Sequence, residues 1–241
     1  MSLPTSSFLT TQWTQVLAAR GNSTHAGRAL RDLCAAYYEP VNAFLRQSGR
    51  GADEARDMAH GFFEWVLSRD PFATADPQRG RFRSYLLGAL KHFLTHERDK
   101  QDRLKRGAHA RHLPIQEATE TSSGIELEDV RALPPDREFD RQWALHVLRR
   151  ALEGLEREFT QAGERERFVL LKPFLTGDAA HGGLAALAEK QAWAESTARS
   201  HLHRLRRRFR EGVRREITPT LASEGETGDE MADLMAALAG S

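Results

Sequence analysis

The stretch ESTARSHLHRLRRRFREGVRRE, Glu195 to Glu216, carries eight arginines and two histidines. On a helix turning about 100° per residue, Ala198, Leu202, Leu205 and Phe209 fall in one narrow sector. Ser200, His203, Arg204, Arg207 and Arg210 fall on the opposite half. A helix built this way must pack its apolar stripe on a neighbour and leave the cations in water. The preceding segment, GLAALAEK, supplies a partner stripe in Leu184, Leu187 and Ala188, and the short QAWAE joins the two. Such a pair reads as a helix-turn-helix, whose second helix offers a polar face to the major groove of DNA. Thr197, Arg199, Ser200 and His203, near the amino end, are placed to reach bases or phosphates. A charge run of this kind is otherwise a solvated surface. The paired helix and the scarcity of interleaved acids set this one apart.

That charge is offset elsewhere, because 35 Lys and Arg against 34 Asp and Glu leave a formal net charge of +1. Much of the offset sits in two stretches. His112 to Asp136, HLPIQEATETSSGIELEDVRALPPD, is acidic, rich in Ser, Thr and Pro, and weakly periodic, as a linker is. From Ala222 onward, ASEGETGDEMADLMAALAGS has five acids (Glu224, Glu226, Asp229, Glu230, Asp233) and no Lys or Arg. It is expected to start as a flexible tail and to end in a short amphipathic helix. The tail is a candidate for folding back on the arginine helix by opposite charge, or for docking on a partner.

A second basic region, RGRFRSYLLGALKHFLTHERDKQDRLKRG, runs from Arg79 to Gly107. Phe82, Leu86, Leu90, Phe93 and Leu94 form its apolar face, so Phe82 and Phe93 read as core. Tyr85 is less committed. Aromatic rings among cations suit single-stranded nucleic acid.

No alternating strand pattern is present, so the fold is expected to be all-α. Helices are expected at Thr11–Ala19, Ala26–Gln47, Asp53–Ser68, Arg81–Glu97, Phe139–Gln161, Glu164–Phe174, Gly183–Lys190 and Glu195–Glu216. The lone Cys34 excludes an internal disulfide and a cysteine-based zinc site, and in LRDLCAAYY it reads as core. No apolar run approaches the roughly 18 residues of a membrane span. The amino-terminal MSLPTSSFLTTQW lacks the features of a signal peptide. A cytoplasmic, non-membrane protein is expected. An enzyme is not. HFLTHE places His92 and His96 four apart, but Glu97 follows the second histidine, whereas a zincin has Glu beside the first. His109 and His112 lack a third ligand, and neither a P-loop nor a Gly-x-Ser-x-Gly is present. No metal and no cofactor is expected.

The ordered set GADEARDMAHGFFEWVL, RGRFRSYLLGALKHFL, acidic linker and LAALAEKQAWAESTARSHLHRLRRRFR resembles bacterial RNA polymerase sigma factors of the extracytoplasmic-function type. In particular it resembles the group with RGRFRSxLL in the first domain. The likeness covers about Thr11 to Ile217. Against the family's AEALGLSEGTVKSRLHRARRRL, the chain reads AEKQAWAESTARSHLHRLRRRF. It matches at Ala188, Glu189, Glu195, Thr197, Ser200, Leu202, His203, Arg204, Arg206, Arg207 and Arg208, with Arg199 standing for lysine.

The resemblance implies a first domain, residues 1–110, that binds core RNA polymerase and the −10 element. An acidic linker follows at 111–138, then a domain at 139–218 ending in the helix-turn-helix that binds the −35 element, then an acidic tail at 219–241. The polymerase β′ coiled coil and β flap and promoter DNA are the implied partners, with an anti-sigma factor or a Ser/Thr kinase as the implied kind of regulator. Implied contacts to the −35 element are Thr197, Arg199, Ser200, His203, Arg204 and Arg207. For the −10 element they are Arg81, Arg83, Tyr85, Lys91, His92, Thr95, His96 and Arg98. For the polymerase they are Asp57, His60, Gly61, Phe63 and Glu64.

The sequence departs from the family in two places. Where the family has DAEDLTQEVF, EARDMAHGFF keeps Asp57 and Phe63 but puts Arg56 for an acid and His60-Gly61 for Gln-Glu. The coiled-coil contact is therefore expected to be altered or dependent on a regulator. In some family members a missing acid here accompanies activation by Ser/Thr phosphorylation, for which Ser68 and Thr74 are nearby hydroxyls. In the turn, Ala192 replaces a glycine and Ala194 the N-cap serine. An Ala for Ser cap costs about 0.5–2 kcal/mol. Trp193 is expected to compensate by burying its ring, and Glu195 by favouring the helix amino end. The linker is either a solvated tether or a nucleic-acid mimic in the polymerase channel. Two rival functions are a stand-alone duplex-binding regulator whose first domain senses or dimerises, and a sigma-like interaction protein without transcription activity.

Overall fold

The structure is a computed structural model that describes residues 24–68, 81–108, 133–177, 183–221 and 224–239. All regular elements among them are helical. The chain divides into two compact units, one ending at Trp143 and the other starting at Ala144. The expected helix Thr11–Ala19 lies outside the described residues, as do most of the acidic linker, Thr74 and the side chain of Cys34.

The first unit contains α1 (Thr24–Gln47), α2 (Ala52–Ser68), α3 (Phe82–Ala108) and the start of α4 (Pro135–Gln161). Its core is aromatic. Tyr37, Phe62, Phe82 and Phe139 are fully buried. The Tyr37 ring meets Phe82 edge-on at 5.3 Å and stacks on Phe139 at 6.5 Å. α1 closes with a Schellman turn. Gly49, at φ 84°, donates to the Arg46 carbonyl, and Arg50 donates to that of Leu45. α3 runs eleven residues beyond the expected Glu97. α4 starts four residues before the expected Phe139, because Pro135 takes the first helical position and Asp136 and Glu138 occupy the first turn.

The second unit holds the rest of α4, α5 (Arg165–Leu171), the single turn α6 (Pro173–Thr176), α7 (Gly183–Lys190), α8 (Glu195–Ile217) and α9 (Thr227–Ala239). The expected helix Glu164–Phe174 is thus interrupted: Pro173 has no N–H to continue the ladder. Leu155, Phe159, Phe168, Leu171 and Leu205 form the core, flanked by Leu152, Leu175, Leu184, Leu187, Trp193 and Phe209. α4 ends in a second Schellman turn, with Gly163 at φ 71° and Glu164 donating to the Phe159 carbonyl at 2.8 Å.

The acidic tail ends in α9, which packs on α8. Leu234 and Glu230 on α9 are fully buried. The helix expected there is present, and it is anchored through these two buried residues.

Candidate nucleic-acid interface

α8 buries Ala198, Leu202 and Leu205, then Gly212, Val213 and Ile217, with Phe209 partly covered. The stripe expected from the sequence is therefore the packed face. Near its carboxyl end α8 comes close to α4: a Cβ on Gly212 would lie 3.6 Å from the Ala151 side chain and carbonyl.

α7 leads into α8 through a third Schellman turn. Trp193 donates to the Ala188 carbonyl at 2.8 Å and Ala192 to that of Glu189 at 3.0 Å. The left-handed position belongs to Ala192, at φ 53°, where the other two turns have glycine. An alanine there clashes with its own carbonyl, at roughly 1 kcal/mol or more. Ala194 takes the N-cap with no side-chain hydrogen bond. The indole of Trp193, which follows Ala192, packs against the core. The turn therefore holds through tertiary burial, as expected of Trp193, and against local preference.

The arginines of α8 sort into two groups. Three are tied to the body of the unit. Arg208 reaches Glu158 at 3.2 Å and lies 4.6 Å above the Phe159 ring. Arg215 reaches the same Glu158 at 2.6 Å, and Arg206 donates to the Phe174 carbonyl at 3.4 Å. The others lie along the exposed side. Arg199 and Arg207 pair with Glu195 and Glu211 one turn away, at 2.7 and 3.0 Å. Such exposed pairs are worth only a few tenths of a kcal/mol and exchange readily for phosphate. Thr197, Ser200, His203, Arg204, Arg210 and Arg214 are exposed as well. All six expected −35 residues therefore share the solvent side of α8.

His201, which sequence reasoning passed over, is half-buried. Its ring lies 5.2 Å from that of Trp193, and its Nδ1 is 3.1 Å from the Arg204 guanidinium. Burial, then Arg167 and Arg204, push its pKa below the usual histidine value. Its position between the arginine face and the apolar stripe was the only signal in the sequence.

In the first unit the expected −10 residues divide. Lys91, His92, Thr95, His96 and Arg98 are exposed on α3, Tyr85 and Arg81 half-buried. Lys91 pairs with Asp136 at 2.6 Å. The His92 ring lies 4.4 Å edge-on from His96 and 6.1 Å from Trp65. Arg83 is a correction to the sequence reading. It is buried, bonded to the Asp140 carboxylate and stacked 4.6 Å above Trp143, so its guanidinium faces the core. Phe82 and Phe93 are core, as expected.

Of the expected polymerase contacts, Asp57, His60 and Glu64 are exposed on one face of α2. The Tyr38 hydroxyl is 3.3 Å from His60 Nε2. Gly61 lies under the Phe93 ring, where an added Cβ would sit at 3.7 Å. Phe63 is also a correction: it is buried against Phe62 at 5.3 Å and Tyr38 at 6.2 Å, and belongs to the core.

No family model, curated protein or solved structure matches the chain. Among the described residues no group of three or more His, Cys, Asp or Glu is arranged to hold a metal, and no helix is long and apolar enough to cross a membrane.

Proposed function

We propose that the chain is an RNA polymerase sigma factor of the extracytoplasmic-function type, working in the cytoplasm. The observation that carries this is the α7–turn–α8 unit. A short helix and a tight turn set a long helix with its apolar stripe packed and six candidate base- or phosphate-contacting side chains on its solvent side. In this reading α7 and α8 are the helix-turn-helix. Arg199, Ser200, His203 and Arg204 select bases of the −35 element. Arg207, Arg210 and Arg214 neutralise phosphates, so duplex affinity falls steeply with salt. The exposed α3 residues Lys91, His92, Thr95, His96 and Arg98 approach the −10 element, where holding an unstacked base must offset a few kcal/mol of lost stacking. Asp57, His60 and Glu64 present the face of α2 to the polymerase. No catalytic residue is needed, since the protein lends sequence recognition to an enzyme.

A stand-alone duplex-binding regulator is the second reading. It is favoured by one observation: His60 is engaged by Tyr38 and Gly61 offers no side chain, so two of the five expected polymerase-contact positions present no free polar group on α2. Co-purification with core RNA polymerase of the same host, scored by gel filtration, separates the two. The sigma reading expects a stable 1:1 complex that opens promoter DNA. A dimer that binds duplex with no affinity for active polymerase overturns it.

A further inference from the structure

The Arg204 guanidinium is held at two points. Its Nε donates to the Ser200 carbonyl at 3.4 Å, and an amino group lies 3.1 Å from His201 Nδ1. A guanidinium can only donate, so Nδ1 must be the acceptor and the ring hydrogen must sit on Nε2. Only neutral imidazole can do this. The ring itself is anchored: it is half-buried, with Trp193 at 5.2 Å. An arginine side chain left free samples many rotamers, and fixing it for a base contact costs conformational entropy. Here an anchored ring draws Arg204 back along α8 toward Ser200, beside the amino-terminal turns.

We infer that His201 is a positioning residue for duplex recognition, holding Arg204 through Nδ1 and releasing it on protonation. The inference rests on duplex binding by α8.

The groups facing the ring set the pH at which release occurs. Arg204 comes from α8, Arg167 from α5, Glu164 from the turn before α5, and the uncharged Trp193 from the turn before α8. Burial and the two guanidiniums oppose a proton on the ring, and the single carboxylate of Glu164 favours it. The ring is therefore neutral at neutral pH and takes up its proton at a lower pH than an ordinary histidine does. A protonated ring adds a charge to α8 while expelling Arg204. Non-specific duplex affinity is then kept while selectivity is lost.

The test uses the full chain and selection from a randomised duplex library, at about pH 7.5 and about pH 5, the second chosen below ordinary histidine titration because the pKa of His201 is lowered. Arg204→Ala identifies the base pair that Arg204 reads. His201→Phe keeps a ring against Trp193 but removes the acceptor. At the higher pH it is expected to cut discrimination at that base pair about tenfold, within the range a bidentate arginine contact supplies. Non-specific binding should change by less than about twofold. Acidification should produce the same flattening in the wild type and none in His201→Phe. Undiminished discrimination in His201→Phe, or equal loss in both proteins on acidification, overturns the inference. Imidazole ¹⁵N shifts give a reading without DNA: the Nε2–H form should dominate in the wild type and lose that bias in Arg204→Ala. A tautomer ratio indifferent to Arg204 overturns the clamp itself. A clamp present in a protein that selects no sequence overturns the duplex-binding reading, and its use in recognition falls with it.

Discussion

Arg83 donates to the carboxylate of Asp140, 57 residues further along the chain. The pair joins α3 to the first turns of α4, and the same guanidinium lies over Trp143. Asp140 keeps partial access to water while Arg83 is nearly covered. Removing the acid therefore strands a buried cation. Asp140→Ala is expected to destabilise the first unit by about 2–3 kcal/mol, below the roughly 3–5 kcal/mol of a fully buried pair because solvent reaches one partner. Arg83→Met, which removes the charge and keeps much of the stem, should cost less. Urea denaturation of both variants followed by circular dichroism measures the difference.

The turn before α8 is a second place where a local preference is overridden. Ala192→Gly should stabilise the second unit by about 1 kcal/mol, because glycine takes the left-handed conformation without a Cβ clash. Ala194→Ser should add about 0.5–2 kcal/mol by capping an amide of the first turn. Thermal melting of each variant and of the pair checks both values. No rise in melting temperature in either would mean that the burial of Trp193, and not backbone strain, sets the stability of this turn.

The two groups of arginines on α8 should respond oppositely to alanine. Arg208→Ala loses Glu158 and the Phe159 ring together, and should cost about 1–2 kcal/mol of stability. Arg210→Ala should leave stability within about 0.5 kcal/mol yet lower the slope of log affinity against log salt by about 0.9, one phosphate's worth. Titrating a fluorescent duplex at several salt concentrations, alongside denaturation, distinguishes the groups.

The buried side of α9 should behave as core. Leu234→Ala is expected to destabilise the second unit by about 2–4 kcal/mol, the usual range for a fully buried leucine. A solvated tail would instead tolerate it within about 0.5 kcal/mol. Hydrogen exchange of the amides of Val213 and Ile217, on the buried side of α8, reports the same loss locally.

Acid should weaken the second unit. His146 has a pKa lowered by burial and then by Arg149 and Arg150, and that of His201 is lowered by burial and then by Arg167 and Arg204. The unfolded chain therefore takes up protons before the folded one. Stability is complete above the unfolded histidine pKa and falls as pH drops below it toward the folded value. Glu164, held below the usual carboxylate value by its hydrogen bond to Arg167, adds a further loss in the carboxylate range. Calorimetry of the wild type against His146→Gln should show a shallower fall for the variant between about pH 7 and about pH 5. Parallel curves would remove His146 from this account.

The amphipathic faces are legible in the sequence. Ala198, Leu202 and Leu205 recur at a spacing that only one side of a helix satisfies, so the packed side of α8, and with it the exposed side, follows from sequence. The same holds for Phe82, Leu86, Leu90 and Phe93 on α3. What periodicity cannot convey is which neighbour a charged side chain meets. Arg83 belongs to a basic run, yet Asp140 and Trp143 draw it inside. Arg208 and Arg215 look like Arg207 and Arg210 until Glu158, some 50 residues away, takes two of them. Left-handed Ala192 and the docking of α9 are decided in the same way, by partial burial of Trp193 against the core and full burial of Leu234. Helical period is a property of neighbours in sequence, whereas the partner of a cation, the tolerance for a strained turn and the docking of a tail depend on residues that only the folded chain brings together.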